Sequence, residues 1–144
     1  MIGCHNLGNQ FFNIRTLILA GLIQQFQLLQ EFLKVCKKLG LKYYMVCGSV
    51  LGAAKFQGFI PWDDDVDLLI PREDYDRMIA LFKDTKRYRL FAFEKDSVYR
   101  YPFAKLCDMT TRKDEFGYDN GVELGVDIDL FPLDTWDNDL DKAK

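Results

Sequence analysis

At 144 residues, 49% of them hydrophobic, the chain holds enough apolar material for one core of ordinary size and shows no compositional sign of two. A formal net charge of -3, with lysine and arginine scattered, excludes a nucleic-acid backbone as the main partner, because such binders carry a basic face. Four cysteines stand far apart without a C-x-x-C pair, which excludes zinc-ligand spacing and a dithiol redox motif; three lie in apolar patterns and read as buried thiols of a reducing compartment.

Residues 1–13 read as a flexible N-terminus, and the rest, 14–144, as one domain. The apolar run Leu17 to Ile23 is cut by Gln24 and Gln25 well short of the roughly 20 residues that span a membrane. It also lacks the flanks of a signal peptide, so no transmembrane span is expected and the run opens a core helix. Apolar side chains at 14, 17, 18, 22, 28, 29, 32, 33, 36 and 39 keep a period of about 3.6 residues, which predicts an amphipathic helix over Ile14 to Leu39, stopped by Gly40. Tyr43 to Cys47 reads as a short buried strand, and Ser49 to Phe56 as a helix with Ser49 near its start.

Gly58 and Pro61 break that helix, and a strand is predicted over Val66 to Ile70, closed by Pro71. Arg72 to Phe82 follows as a helix with Glu73 and Asp74 in its first turn, where acidic groups favour a start. Tyr88 to Phe93, Phe103 to Met109 and Val126 to Phe131 read as further strands. The order predicts an α/β arrangement of the α+β kind, a mixed sheet with helices packed on it. The polar stretch from Asp134 to Lys144 ends without a stop signal, so the fold is expected to be incomplete at its C-terminus.

The chemistry concentrates between Cys47 and Asp67, CGSVLGAAKFQGFIPWDDDVD. Asp63, Asp64, Asp65 and Asp67 repel one another, and such crowding calls for a cation. On a strand Asp65 and Asp67 share a face roughly 7 Å apart, and oxygen donors without His or Cys favour magnesium or manganese. Gly48-Ser49 lies between a strand and a helix, where backbone N–H groups can hold phosphate. Asp127 and Asp129 share a face of a later strand; if it pairs beside Val66 to Ile70, three carboxylates converge.

Plainer readings exist for each feature. A lone D-x-D is most often a solvated turn, and Gly48-Ser49 is equally an ordinary strand-to-helix turn. An EF-hand loop matches Asp63, Asp65 and Asp67 but fails at Leu68, where a turn glycine is needed, and at Asp74, where a bidentate Glu is needed. The P-loop and G-x-G-x-x-G patterns are absent, and His5, the sole histidine, lies in the N-terminal stretch, which disfavours a Ser-His-Asp or Cys-His set. Trp62 and Trp136 read as packing residues.

The run LGAAKFQGFIPWDDDVDLLIPREDY, with KYYMVCGSVLGA, YPFAKLCDMTT and VDIDLFPLD around it, closely resembles the signature of the LicD family, phosphocholine and related phosphoalcohol transferases akin to fukutin and fukutin-related protein. The resemblance covers about Leu28 to Trp136 and implies a nucleotidyltransferase-like fold. It implies that Asp65 and Asp67 are paired metal ligands, that Asp129 is the third carboxylate, and that Gly48, Ser49 and Lys105 meet the donor's phosphates. Asp127 falls where the family more often has an apolar residue, and Phe56 and Gln57 stand where relatives often carry His and Lys.

The implied activity is Mg2+- or Mn2+-dependent transfer of a phosphoalcohol, phosphocholine first, from a CDP-linked alcohol donor to a hydroxyl of a cell-surface glycan or lipid-linked glycan acceptor, such as lipopolysaccharide or teichoic acid. That implies a cytoplasmic protein, peripheral at the inner face of the membrane. The rivals are a nucleotidyltransferase or D-x-D glycosyltransferase using a nucleotide sugar, and a non-catalytic nucleotide- or metal-binding module.

Overall fold

A computed structural model describes residues 14–63, 65–113 and 121–135. Helix α1 (Ile14–Leu39) buries Gln25, Leu28, Phe32 and Cys36, which the helical period stacks on one face. Lys37 and Lys38 occupy its last turn, and Gly40 adopts φ 66 so that the Leu41 N–H reaches back 2.9 Å to the Cys36 carbonyl. That six-to-one bond marks a Schellman end, the termination that glycine permits.

Strand β1 (Tyr44–Met45) is only two residues long and exposed, shorter and wetter than the buried strand expected over Tyr43 to Cys47. It lies at the sheet edge, and the chain leaves it at Cys47, whose φ of 50 turns the backbone into helix α2 (Cys47–Phe56). Strand β2 (Asp67–Pro71), helix α3 (Arg72–Leu81), β3 (Tyr88–Phe91), β4 (Ala104–Lys113) and β5 (Leu124–Leu133) complete the order. The sheet runs β1-β2-β5-β4-β3, parallel between β2 and β5 and antiparallel elsewhere. A mixed five-stranded sheet flanked by helices is thus the predicted α+β class, open and not closed into a barrel.

Alternation along the strands sorts the two faces. Leu68, Ile70, Ala104, Leu106, Ile128 and Leu130 point to the main core with Leu28 and Phe32 of α1 and Tyr75 and Met78 of α3. The opposite face holds Phe91, Tyr99, Cys107 and Leu124, together with the charged residues described below. Asp74 ties the helices together: it accepts from the Lys42 N–H at 3.0 Å and from Arg77 at 2.9 Å, while Arg77 also donates to the Leu39 carbonyl at 2.6 Å.

The β4–β5 ladder slips between Asp108 and Lys113. Thr111 stitches the irregularity, donating to the Asp108 carbonyl at 2.6 Å and accepting from the Val126 N–H at 2.7 Å. Gly125 makes this possible, since a Cβ there would lie 2.0 Å from the Asp108 carbonyl oxygen and 2.9 Å from Thr111 Oγ1. A backbone atom cannot step aside as a flexible side chain does. Gly125→Ala is expected to cost about 3 kcal/mol, the upper end of overpacking penalties, read as a lower urea midpoint; an unchanged midpoint would show that the slip opens freely.

Asp108 itself is buried and accepts two bonds from Arg87, at 2.9 and 2.8 Å, and two from Thr110, at 3.0 and 2.6 Å. Burial alone pushes its pKa up, but these donors hold it below the ordinary carboxylate value. A depressed folded pKa stabilises above the unfolded value of about 3.9 and loses that stabilisation as pH falls through the folded one. Acid unfolding of Asp108→Asn, followed by circular dichroism, is therefore expected to show a shallower loss of stability below about pH 4 than the parent chain; equal slopes would remove Asp108 from the acid response.

Candidate active site on the second face of the sheet

The site is built by register. Asp67 of β2 lies directly opposite Asp129 of β5, and Asp129 lies directly opposite Lys105 of β4. Three charged residues thus form one row across three adjacent strands, spaced by the roughly 4.8 Å that separates neighbouring strands. All three point away from the main core, because their neighbours Leu68, Ile128, Leu130, Ala104 and Leu106 point into it. The expected pairing of the two aspartate strands is therefore present.

Lys105 is 3% exposed and sits at the centre of a charge chain. Its ammonium lies 2.6 Å from Asp129 Oδ1 and 3.0 Å from Asp127 Oδ2. Lys113 approaches the other oxygen, Asp127 Oδ1, at 2.8 Å. The rings of Tyr101 and Phe103 lie 5.1 and 5.6 Å from the ammonium. Burial alone pushes the Lys105 pKa down, yet the two carboxylates raise it above the ordinary lysine value.

Asp67 is 9% exposed, and its backbone N–H donates to Ser49 Oγ at 2.8 Å. The Ser49 hydroxyl therefore joins the first turn of α2 to the start of β2, beside the 3.2 Å bond from the Val46 N–H to the Asp67 carbonyl. Burial raises the Asp67 pKa; the Cys47 thiol bond and Lys105 oppose the rise, and Asp63 adds to it. Asp129 is raised by burial as well, with Lys105 holding the rise in check. Cys47 is exposed, unlike Cys36 and Cys107, and partial desolvation with Asp67 and Asp65 nearby lifts its thiol pKa.

Asp65 is half-buried two residues before β2, on the wall of a cavity that Gly48, Ser49 and Asp63 also line. The Asp63 carboxylate packs so closely on Gly48 that a Cβ there would lie 2.2 Å from Asp63 Oδ2. Asp64, His5 and Trp136 lie outside the described residues, and Trp62, expected to pack, is 77% exposed with its ring edge against Phe56. Among the described residues, no three His, Cys, Asp or Glu side chains are arranged to hold a metal ion. The donors nearest the row are nonetheless carboxylate oxygens with burial-raised pKa values, the chemistry that a hard divalent cation relieves.

Two roles were not legible in the sequence. Asp127, 1% exposed, anchors Lys105 from the strand position next to Asp129, and only its shared face with Asp129 pointed to it. Lys105, expected at the phosphates, spends its charge on aspartates.

An acidic row thus crosses a mixed sheet beside a helix whose first turn carries Gly48 and Ser49. Residues 40–142 match the family described as LicD/FKTN/FKRP, nucleotidyltransferase domain, and the chain belongs to it. It is 31% identical over 88 residues to the lipopolysaccharide cholinephosphotransferase LicD of Haemophilus influenzae, covering 59% of this chain and 33% of that protein. Proteins of Rickettsia typhi and Rickettsia prowazekii share 36% over 61 residues and 41% over 49, covering 40% and 34% of this chain and 20% and 18% of theirs. The chain thus spans a third or less of the length of these relatives. No described helix is long and apolar enough to cross a membrane.

Proposed function

We propose that this chain carries the metal and phosphate site of a transferase that moves phosphocholine from a CDP-linked donor to a hydroxyl of a cell-surface glycan or its lipid-linked precursor. The observation that carries the reading is the Asp67–Asp129 juxtaposition within the family's domain, supported by the cholinephosphotransferase among its relatives. Asp65, Asp67 and Asp129 would hold Mg2+ or Mn2+, which when bound supplies charge neutralisation at the donor's diphosphate.

The chain's own groups have distinct tasks in this reading. Backbone N–H groups of Gly48 and Ser49, in the first turn of α2, orient a phosphate oxygen. Ser49 accepts from the Asp67 N–H, which locks that turn to the acidic strand and fixes the distance between phosphate and carboxylates. Asp129 on β5, directly across from Asp67, would complete the carboxylate set that holds the cation, and CMP departs from the phosphorus as the acceptor oxygen bonds to it. Burial raises the Asp129 pKa, and Lys105, 2.6 Å from Asp129 Oδ1, opposes that rise. Most of the barrier reduction then comes from positioning and electrostatics, as in phosphoryl transfers generally.

The test is a donor panel. CMP release from CDP-choline that requires Mg2+ or Mn2+ and stops with chelator is the expected result. Attachment of a nucleotide or a sugar to the acceptor would assign a nucleotidyltransferase or glycosyltransferase instead, and tight CDP binding without turnover would favour a binding module.

A further inference from the structure

Strand β4 brings two ammonium groups to the acidic row. Lys113 lies past the register slip, opposite Leu124 of β5, and its side chain is 27% exposed against 4% for Lys105, so both charges are largely withdrawn from water. Both act on Asp129. Lys105 touches it at 2.6 Å, and each lysine opposes the rise that burial imposes on the Asp129 pKa. Two positive charges beside a carboxylate needed by a cation work against that cation.

Asp127 stands between the two lysines. Its Oδ2 lies 3.0 Å from the Lys105 ammonium and its Oδ1 accepts from Lys113 at 2.8 Å, while the residue is 1% exposed. Cys107, directly opposite Asp127 on β4, adds no charge, because burial pushes its thiol pKa up. Asp67, Asp127 and Asp129 therefore stand against Lys105 and Lys113, and without Asp127 the balance of this face would fall from acidic to neutral. We infer that Asp127 is a positioning residue for the cation site: it shares Lys105 with Asp129 and occupies Lys113, which keeps the two ammonium groups from neutralising Asp129. The inference rests on the transferase reading and deepens it. Asp127 acts through the lysines and needs no contact with cation or donor. A Lys105–Asp129 pair alone would close on itself as an ordinary ion pair, and burying a further Asp–Lys pair beside it is seldom repaid in stability. The use of that second pair lies in the charge it sets.

The test measures the affinity of the metal-free chain for Mn2+, with the free ion followed by electron paramagnetic resonance. Asp127→Asn is expected to weaken binding by about ten- to a hundredfold, the range for groups that support metal ligands from behind. Lys113→Met removes one opposing ammonium from a partly exposed position and is expected to tighten binding by about threefold or more. The two changes together restore the parental charge balance, so the double variant should return to within about threefold of the parent affinity. A purely structural Asp127 predicts the reverse, because the double variant strips the cluster further. A double variant that binds no better than Asp127→Asn, or an affinity unchanged in Lys113→Met, would overturn the inference. Lys113→Met leaves Lys105 between its two aspartates, so it decides the question even where Asp127→Asn does not fold. CMP release separates the two readings: turnover of CDP-choline with Mn2+ affinity indifferent to these variants sinks the role of Asp127 alone, whereas the expected Mn2+ affinities without turnover of any CDP-alcohol sink the transferase reading alone.

Discussion

Replacing Lys105 by methionine is expected to lower the free energy of unfolding by about 3–5 kcal/mol, the range for removing one partner from a buried charge cluster. Methionine keeps an unbranched apolar stem beside Tyr101 and Phe103, so the change isolates the charge. Asp127 would retain Lys113 at 2.8 Å, but Asp129 would lose the ammonium at 2.6 Å. The main cost therefore falls on Asp129, whose burial already disfavours its ionised form. A double-mutant cycle checks the attribution: Asp129→Asn added to Lys105→Met should recover a large part of the loss, because it removes the stranded charge. Unfolding free energies from urea titration that fall by less than about 1 kcal/mol, the range of exposed pairs, would show that water reaches the cluster. Lys105→Arg is not a safe substitute, since its larger planar fork has no room between two aspartates already at contact distance.

That cluster also marks the boundary of what the sequence could say. The aspartates of VDIDLFPLD announced a face, and period two along β5 sets Asp127 and Asp129 together opposite Ile128 and Leu130. Pairing of β5 beside β2 was expected as a condition for convergence, and the register of Asp67 against Asp129 fulfils it. What no local pattern encodes is the third strand. Lys105 comes into the row only because β4 pairs with β5 in one particular register, and nothing within its own stretch names its partners. The same holds for Asp63 against Gly48, a contact made by a loop closing over a helix start. Element positions were easier: α1 ends where Gly40 dictates, and the errors lie at boundaries, such as β1 shrinking to Tyr44–Met45 because an edge position needs no buried side chains.

The double replacement Asp65→Asn, Asp67→Asn should abolish metal-dependent CMP release, a fall of about a thousandfold or more if the pair supplies the several kcal/mol that a metal ion contributes to charge stabilisation. Stability should move the other way. Asp67 is buried, repelled by Asp63 and raised in pKa, so its charge is a burden on the metal-free fold, and an amide of the same shape removes that burden while leaving the Asp67 N–H on Ser49 Oγ. The expected pair of results, activity lost and the metal-free thermal midpoint equal or higher, distinguishes a site residue from a folding residue, because function has been favoured over stability there. A second readout does not depend on turnover. At a free concentration of a hundred times its dissociation constant, Mg2+ or Mn2+ should stabilise the parent chain by about 2.7 kcal/mol and leave the double variant's midpoint unchanged. Full activity in the double variant, or an undiminished metal-induced shift, would sink the assignment of Asp65 and Asp67 and leave Asp129, with Lys105 beside it, as a structural pair alone.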